Sequence, residues 1–270
     1  MRAGLVLSGG GARCFAQLGA LAAFDESGVE VAAIAANSTA AVLAALYAAG
    51  RTPAEIREII TDFDFASLVK FPGRAGLLKS DGIAGLLRKH VPETFEELRI
   101  PLAVPTVDIQ SARQLVFTSG PLIDPVCASN AFPGLFEPIE IDGHFLLDGG
   151  ILNNLPVDLI RSLHPGQVAV VDTRVPATQH LDLESNEESF WTRLRSAFTP
   201  GTPLMVEILM KAYTITQTRL IEIMLAAHPP DLTIVPPLGE DFALQDFGRI
   251  DEAYDLGFRE AHAQLQRAGW

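Results

Sequence analysis

Ser38 lies in the stretch Ala35-Ala36-Asn37-Ser38-Thr39-Ala40-Ala41, between the apolar runs Val31–Ile34 and Val42–Leu46. A serine on the turn from a strand into a helix is where many hydrolases expose a nucleophile. The same pattern also describes a helix cap made by Asn37 or Ser38. Glycines usually stand two residues either side of such a nucleophile. Here those positions are Ala36 and Ala40.

Ser8-Gly9-Gly10-Gly11-Ala12-Arg13 is a second candidate. Glycines after a strand let the backbone approach a ligand closely. A helix start beyond them offers unpaired N–H groups and a partial positive charge. Phosphate cradling and oxyanion stabilisation both use such a loop. The dinucleotide pattern G-x-G-x-x-G would need glycine where Cys14 stands, and no Gly-Lys-Ser/Thr run exists. An oxyanion hole or a merely tight turn remains.

Asp148-Gly149-Gly150 is the third. A carboxylate ending a strand sits where α/β proteins place their sites, although aspartate is also a common turn residue. A serine nucleophile needs a base within hydrogen-bond reach. His90, His144, His164, His180, His228 and His262 fall in a hairpin, in loops or near helix ends, none in a catalytic-looking motif. A Ser38–Asp148 dyad is the simpler arrangement.

The elements that must position these residues alternate. Ala3–Leu7 and Val31–Ala36 read as strands, followed by helices over Cys14–Phe24 and Thr39–Ala49. Thr52, Pro53 and Glu55 form a capping box opening another helix. Further strands are expected at Leu102–Val107, Gln114–Thr118, Gln167–Val171 and Leu232–Val235. A hairpin is expected over Pro138–Leu147, turning at Asp142-Gly143, and a last helix at about Arg249–Arg267. Such alternation predicts a mostly parallel sheet covered by helices on both faces. Residues 1–270 are expected to form one domain, with a more variable helical and loop segment at about 178–228. His180–Ser189 is acidic and reads as an exposed loop. Leu204–Ala227 reads as a long helix with Glu207, Lys211, Thr214, Thr218 and Glu222 on one face, too charged to span a membrane. Met205, Met210 and Met224 leave two readings open: a helix packed on the core, or a lid contacting lipid.

The chain has 270 residues and a net charge of −13, with 48% hydrophobic and 20% charged residues. This suits a globular domain with a sizeable core. The acidity argues against nucleic acid as a partner and against non-specific docking on anionic membranes. Cys14 and Cys127 suggest neither a disulfide scaffold nor a metal site. The first residues are expected to enter a strand rather than form a secretory segment. On that reading the Asn37-Ser38-Thr39 sequon is fortuitous, and a cytoplasmic location, with peripheral membrane contact at most, is expected.

Taken together, Gly9-Gly10-Gly11-Ala12-Arg13-Cys14, Ala36-Asn37-Ser38-Thr39-Ala40 and Asp148-Gly149-Gly150 resemble, in this order, the motifs of the patatin-like phospholipase family. Those motifs are G-G-G-x-R/K-G, G-x-S-x-G and D-G-G/A. "ASNAFPGLFEPIEIDG", "LLDGGILNNLPVDLIR" and "DLTIVPPLGEDFALQDFGRIDEAYDLG" also look like family segments. The similarity extends over most of residues 3–260 and is weakest between about 178 and 228. It implies a three-layer α/β/α fold and a lipid acyl hydrolase needing no cofactor. It implies Ser38 as nucleophile and Asp148 as general base. Gly9, Gly10, Gly11 and Arg13 would form the oxyanion hole, and Cys14, Asn37, Thr39, Gly149 and Gly150 would line the site. The implied substrates are phospholipid, lysophospholipid or simpler acyl esters, met at transient membrane or micelle contacts. A catalytically silent protein that binds lipid or acyl groups is the alternative. The sequence departs from the family at Cys14, Ala36 and Ala40. Positive φ at either alanine would strain the elbow, and Cys14, at a helix start, would narrow the pocket or carry a lowered pKa.

Overall fold

The computed structural model describes residues 1–65, 80–175 and 204–270. The parallel strands are β1 (Arg2–Leu7), β2 (Glu30–Ala36), the start of β3 (Leu102–Asp108), β7 (Gln167–Val171) and β8 (Leu232–Ile234). Antiparallel strands β4 (Arg113–Phe117), β5 (Ile139–Ile141) and β6 (His144–Asp148) complete one sheet in the order β5-β6-β3-β2-β1-β7-β8, with β4 paired to β3. The sheet is thus mostly parallel, as the alternation predicts. The β5–β6 hairpin turns where expected, with positive φ at Asp142 (51°) and Gly143 (80°). That pair of conformations matches the twist of the strands it joins.

Side-chain alternation assigns the layers. Leu5, Leu7, Ile34, Ala36, Ala169 and Val171 face one core. Val6, Ala33, Ala35, Val168 and Val170 face the other. Near-continuous apolar strands of this kind are what burial on both faces requires. The first core is covered by α1 (Phe15–Glu26), α2 (Thr39–Ala48), α3 (Pro53–Thr61), α4 (Asp81–His90) and the C-terminal α9 (Ile250–Ala268). Short helices α5 (Ile123–Ser129), α6 (Gly150–Asn153) and α7 (Val157–Leu163) follow β4, β6 and α6 in the chain. The second core is covered by α7 and by Ile221, Met224 and Leu225 of α8 (Leu204–Ala227). Phe15, Phe24, Leu18 and Leu21 of α1 are fully buried, each worth about 1.5–3 kcal/mol of transfer free energy.

Local signals behave as their chemistry dictates. Thr52 and Glu55 make both halves of the capping box, Glu55 N–H to Thr52 Oγ1 at 3.2 Å and Thr52 N–H to Glu55 Oε2 at 2.8 Å. The first helix differs from expectation: Gly11–Cys14 is a 3-10 turn, and α1 begins only at Phe15. Among the described residues, no helix is long and apolar enough to cross a membrane. Both cysteines are buried and free. The acidic stretch at His180–Ser189, and the 178–228 segment as far as residue 203, lie outside the described residues.

Candidate active site

Sheet register brings the three motifs together. Leu7 pairs with Ala36, so the glycine loop and the Ser38 turn leave adjacent strands at the same level. Ala35 pairs with Ala103, and Thr106, farther along β3, pairs with Asp148. Asp148 therefore lies across β3 from the Ser38 turn.

Ser38 holds φ 58° and ψ −138° between β2 and α2. A β-carbon makes this region costly, about 1–3 kcal/mol. What holds it is tertiary. The Ser38 N–H donates to Ser129 Oγ at 3.1 Å, and Ala41 N–H donates to Ser38 O at 2.9 Å. Ser38 is half-buried and lines the same cavity as Asp148, whose carboxylate it helps to hold in the charged form. It makes no side-chain cap on α2. Ala36 and Ala40 are buried and have ordinary φ values; Ser38 alone carries the strain of this turn.

Asp148 is 2% exposed. Burial pushes its carboxyl up to about 6, against hydrogen bonds from Ser38, Gly150 and Asn37 that favour the charged form. Gly150 N–H donates to Oδ1 at 2.8 Å and Asn37 Nδ2 at 3.0 Å. Asn37 also accepts from Ser129 Oγ at 3.1 Å and donates to Asn154 Oδ1 at 3.0 Å. Asn154 Nδ2 reaches Gly9 O at 3.4 Å, which ties the Asp148 network to the glycine loop.

The loop is shaped by close contacts. Gly11 has φ 55°, and a β-carbon there would meet Leu244 O at 2.5 Å. A β-carbon on Gly9 would lie 3.0 Å from Ser38 Cβ and closer still to Asn154 Oδ1. Gly9 N–H donates to Asn154 O (3.2 Å), Ala12 N–H to Leu244 O (2.8 Å) and Arg13 N–H to Gly10 O (3.1 Å). The N–H groups of Gly10 and Gly11 have no acceptor among the described residues. This corrects the expectation for Gly9 and Arg13, whose amides are already paired, to Asn154 O and Gly10 O. The Arg13 guanidinium is buried and bonds carbonyls of Thr173 (2.9 Å), Phe242 (2.7 Å) and Gly239 (3.1 Å), so it anchors the loop.

Cys14 also differs from expectation. It is fully buried, off the cavity wall, and burial pushes its thiol up to about 12 rather than down. The thiol sits 3.5 Å from Ser8 O, and its sulfur lies 3.9 Å from Thr173 Oγ1. The family glycine is thus replaced by a side chain packed under the elbow. Asn37, Thr39, Gly149 and Gly150 likewise stand behind the wall: Thr39 Oγ1 bonds Asn130 Oδ1 at 3.2 Å, and a β-carbon on Gly149 would meet Asn37 Oδ1 at 2.6 Å.

Ser38, Asp148 and Gly9–Gly11 line one cavity of about 70 Å³. Sequence reasoning missed Phe132, Asn154, Arg174 and Leu244 on its wall, as well as Tyr213 and Gln217 of α8. The polar stripe of α8 was a partial signal, since Thr214 and Thr218 also line the cavity. Tyr213 packs edge-on to Phe132 at 5.2 Å, and burial raises its phenol pKa, with the Asp148 charge adding to the shift. Gln217 Nε2 donates to Ile151 O at 3.1 Å, fastening α8 to α6. The inner side of α8 therefore packs on the core and roofs the cavity. Ile208, Leu209, Ile215 and Ile223 on its outer side are exposed. Among the described residues, no histidine lines the cavity. His180 lies outside them, and His144 instead pairs with Asp108 at 3.1 Å.

Comparison with known proteins agrees with this fold. The solved structures of VipD from Legionella pneumophila (TM-score 0.56, 15% identity, 98% of this chain and 67% of that one) and ExoU from Pseudomonas aeruginosa (0.52, 15%, 98% and 52%) share the fold. Human patatin-like phospholipase domain-containing protein 6 is 28% identical over 98% of this chain, which spans only 20% of that protein's length. An uncharacterized NTE family protein of Mycobacterium tuberculosis is 33% identical over 70% of this chain and 54% of its own length. Residues 5–160, more than half of the chain, match the family described as patatin-like phospholipase. The chain belongs to the patatin-like phospholipase family, a family of lipid hydrolases.

Proposed function

We propose that this chain hydrolyses carboxylic esters of lipids through a Ser38–Asp148 dyad, as a phospholipase A, lysophospholipase or carboxylesterase. The observation that carries this reading is that the strained Ser38 and the buried Asp148 share one cavity wall with the unpaired amides of Gly10 and Gly11. Asp148, with a pKa of about 6, is mostly ionised at neutral pH yet still basic enough to accept a proton. Ser38 Oγ attacks the ester carbonyl as its proton passes to Asp148. The Gly10 and Gly11 amides hold the oxyanion, and each such donor is worth about a hundredfold or more in rate. Asp148 returns the proton to the departing alkoxide. It then takes one from the water that attacks the acyl-enzyme, and passes it to Ser38 Oγ as that oxygen leaves and the fatty acid is freed. The dyad uses no cofactor. The exposed apolar residues of α8 support a transient contact with membrane or micelle, where such substrates reside.

The test is labelling with a fluorophosphonate probe, located by mass spectrometry, together with hydrolysis of p-nitrophenyl butyrate. Label on Ser38, and hydrolysis lost in Ser38→Ala, is the expected result. An unlabelled Ser38, with wild type no faster than Ser38→Ala, would overturn the reading in favour of a silent lipid binder.

A further inference from the structure

Tyr213 shares the cavity wall with Ser38 and Asp148, and the dyad mechanism gives it no task. Its ring is fixed in place. Phe132 packs edge-on at 5.2 Å, and one turn further along α8 the bond from Gln217 Nε2 to Ile151 O (3.1 Å) fastens the helix to α6. The phenol tip rests against Gly150, where an added β-carbon would lie 2.9 Å from Tyr213 Oη. The N–H of Gly150 donates to Asp148 Oδ1 at 2.8 Å. The tip therefore stands at the turn that holds the carboxylate.

This hydroxyl has no hydrogen-bond partner among the described residues. Nor is it sealed: the enclosed side-chain polar atoms without a partner among those residues are Gln17 Oε1, His164 Nε2, Arg174 Nη1 and Gln217 Oε1. An open, unpartnered hydroxyl on a cavity wall is free to meet a bound molecule. Burial, with the Asp148 charge adding to it, keeps the phenol protonated, so it offers a donor.

The sheet order fixes which oxygen it can reach. The order β6-β3-β2-β1 puts the Ser38 turn, after β2, between the glycine loop after β1 and Asp148 at the end of β6. An oxyanion held by Gly10 and Gly11 lies across Ser38 from Tyr213. The oxygen on the near side is the one that Asp148 protonates.

We infer that Tyr213 is a further catalytic residue, whose hydroxyl donates a hydrogen bond to the leaving oxygen of the ester while Asp148 delivers the proton to it. As the bond from acyl carbon to that oxygen breaks, its electron pair stays on the oxygen. Tyr213 stabilises the growing charge and keeps its own proton. Such a donor matters for alkyl esters, whose alkoxides are strongly basic. It matters little for p-nitrophenyl esters, whose phenolate leaves without a proton. The role deepens the hydrolase reading and rests on it.

The experiment compares kcat/KM for butyl butyrate and p-nitrophenyl butyrate, which share their acyl group, in wild type and Tyr213→Phe. The value for butyl butyrate is expected to fall about tenfold or more in the variant, while that for p-nitrophenyl butyrate stays near wild type. A tyrosine that only supports the structure would lower both alike. Equal losses, no loss, or a wild type that cleaves the aryl ester alone overturn the proposal. Should Tyr213→Phe not fold, Tyr213→Leu, which also lacks the donor, is read in the same way. Fluorophosphonate label on Ser38 with an unchanged ratio of the two esters overturns the Tyr213 role and leaves the hydrolase reading intact. Wild type no faster than Ser38→Ala on both esters overturns the hydrolase reading and this role with it.

Discussion

The Asn37 side-chain amide lies 3.0 Å from the Asp148 carboxylate, 111 positions away in sequence. Asn37 precedes Ser38, so one turn supplies both the proposed attacking hydroxyl and a brace for the proposed base. Ser129 closes the arrangement by accepting from the Ser38 N–H and donating to Asn37 Oδ1.

This brace favours ionised Asp148. Removing it in Asn37→Ala should move the Asp148 pKa above about 6, because a donor to the charged form is lost. The acid limb of the kcat/KM profile should shift toward higher pH by about one unit. Activity then falls more at pH 6 than at pH 8. A uniform loss at every pH would show that Asn37 acts only on geometry.

Asp148 should also link stability to pH. Folding raises its pKa from 3.8 to about 6. A group raised in this way stabilises the fold below its unfolded value, and the contribution is lost as pH climbs through the folded value. From pH 4 to 8 the loss amounts to about 3 kcal/mol at most. Urea melts of wild type and Asp148→Asn should show the variant gaining relative stability across this window. Parallel curves would contradict the burial account.

Strain belongs to Ser38, and that predicts how four variants behave. Ser38→Gly should be more stable than Ser38→Ala by about 1 kcal/mol or more, since glycine tolerates positive φ. Ala36→Gly and Ala40→Gly relieve no unfavourable φ and should each cost about 0.5–1 kcal/mol without raising turnover. A faster double glycine variant would mean that the two methyl groups crowd the site.

Gly9→Ala should remove activity out of proportion to stability. The added methyl would press on Ser38 Cβ and on Asn154, displacing the nucleophile from the Gly10 and Gly11 amides by a few tenths of an ångström. About a hundredfold in kcat is at stake, the scale of one lost oxyanion donor. p-Nitrophenyl butyrate kinetics beside a thermal melt separate the two effects.

The strands and the Ser38, Asp148 and glycine motifs were legible because each is written locally, in apolar period and turn chemistry. The roles of Arg13 and Cys14 were not. An arginine beside a glycine loop looks like a ligand-binding group until residues 238–242 are folded onto it. A cysteine near a helix start looks activated until burial decides otherwise. Asn154, Arg174, Tyr213 and Gln217 reach the cavity only through long-range packing. Nothing in their own neighbourhoods marks them. Short helices such as α5 and α7 carry too few turns for their period to stand out.

The anchoring of the glycine loop also bears on modularity. The family match ends at residue 160, yet Leu244 O takes the Ala12 amide, and Gly239 and Phe242 carbonyls hold Arg13. An excised 5–160 fragment would keep Ser38 and Asp148 but lose the clamp that shapes the glycine loop beside them. The smallest portable catalytic unit is therefore longer than the most recognisable one. Grafts or chimaeras cut at the recognisable border would inherit the motifs without the geometry.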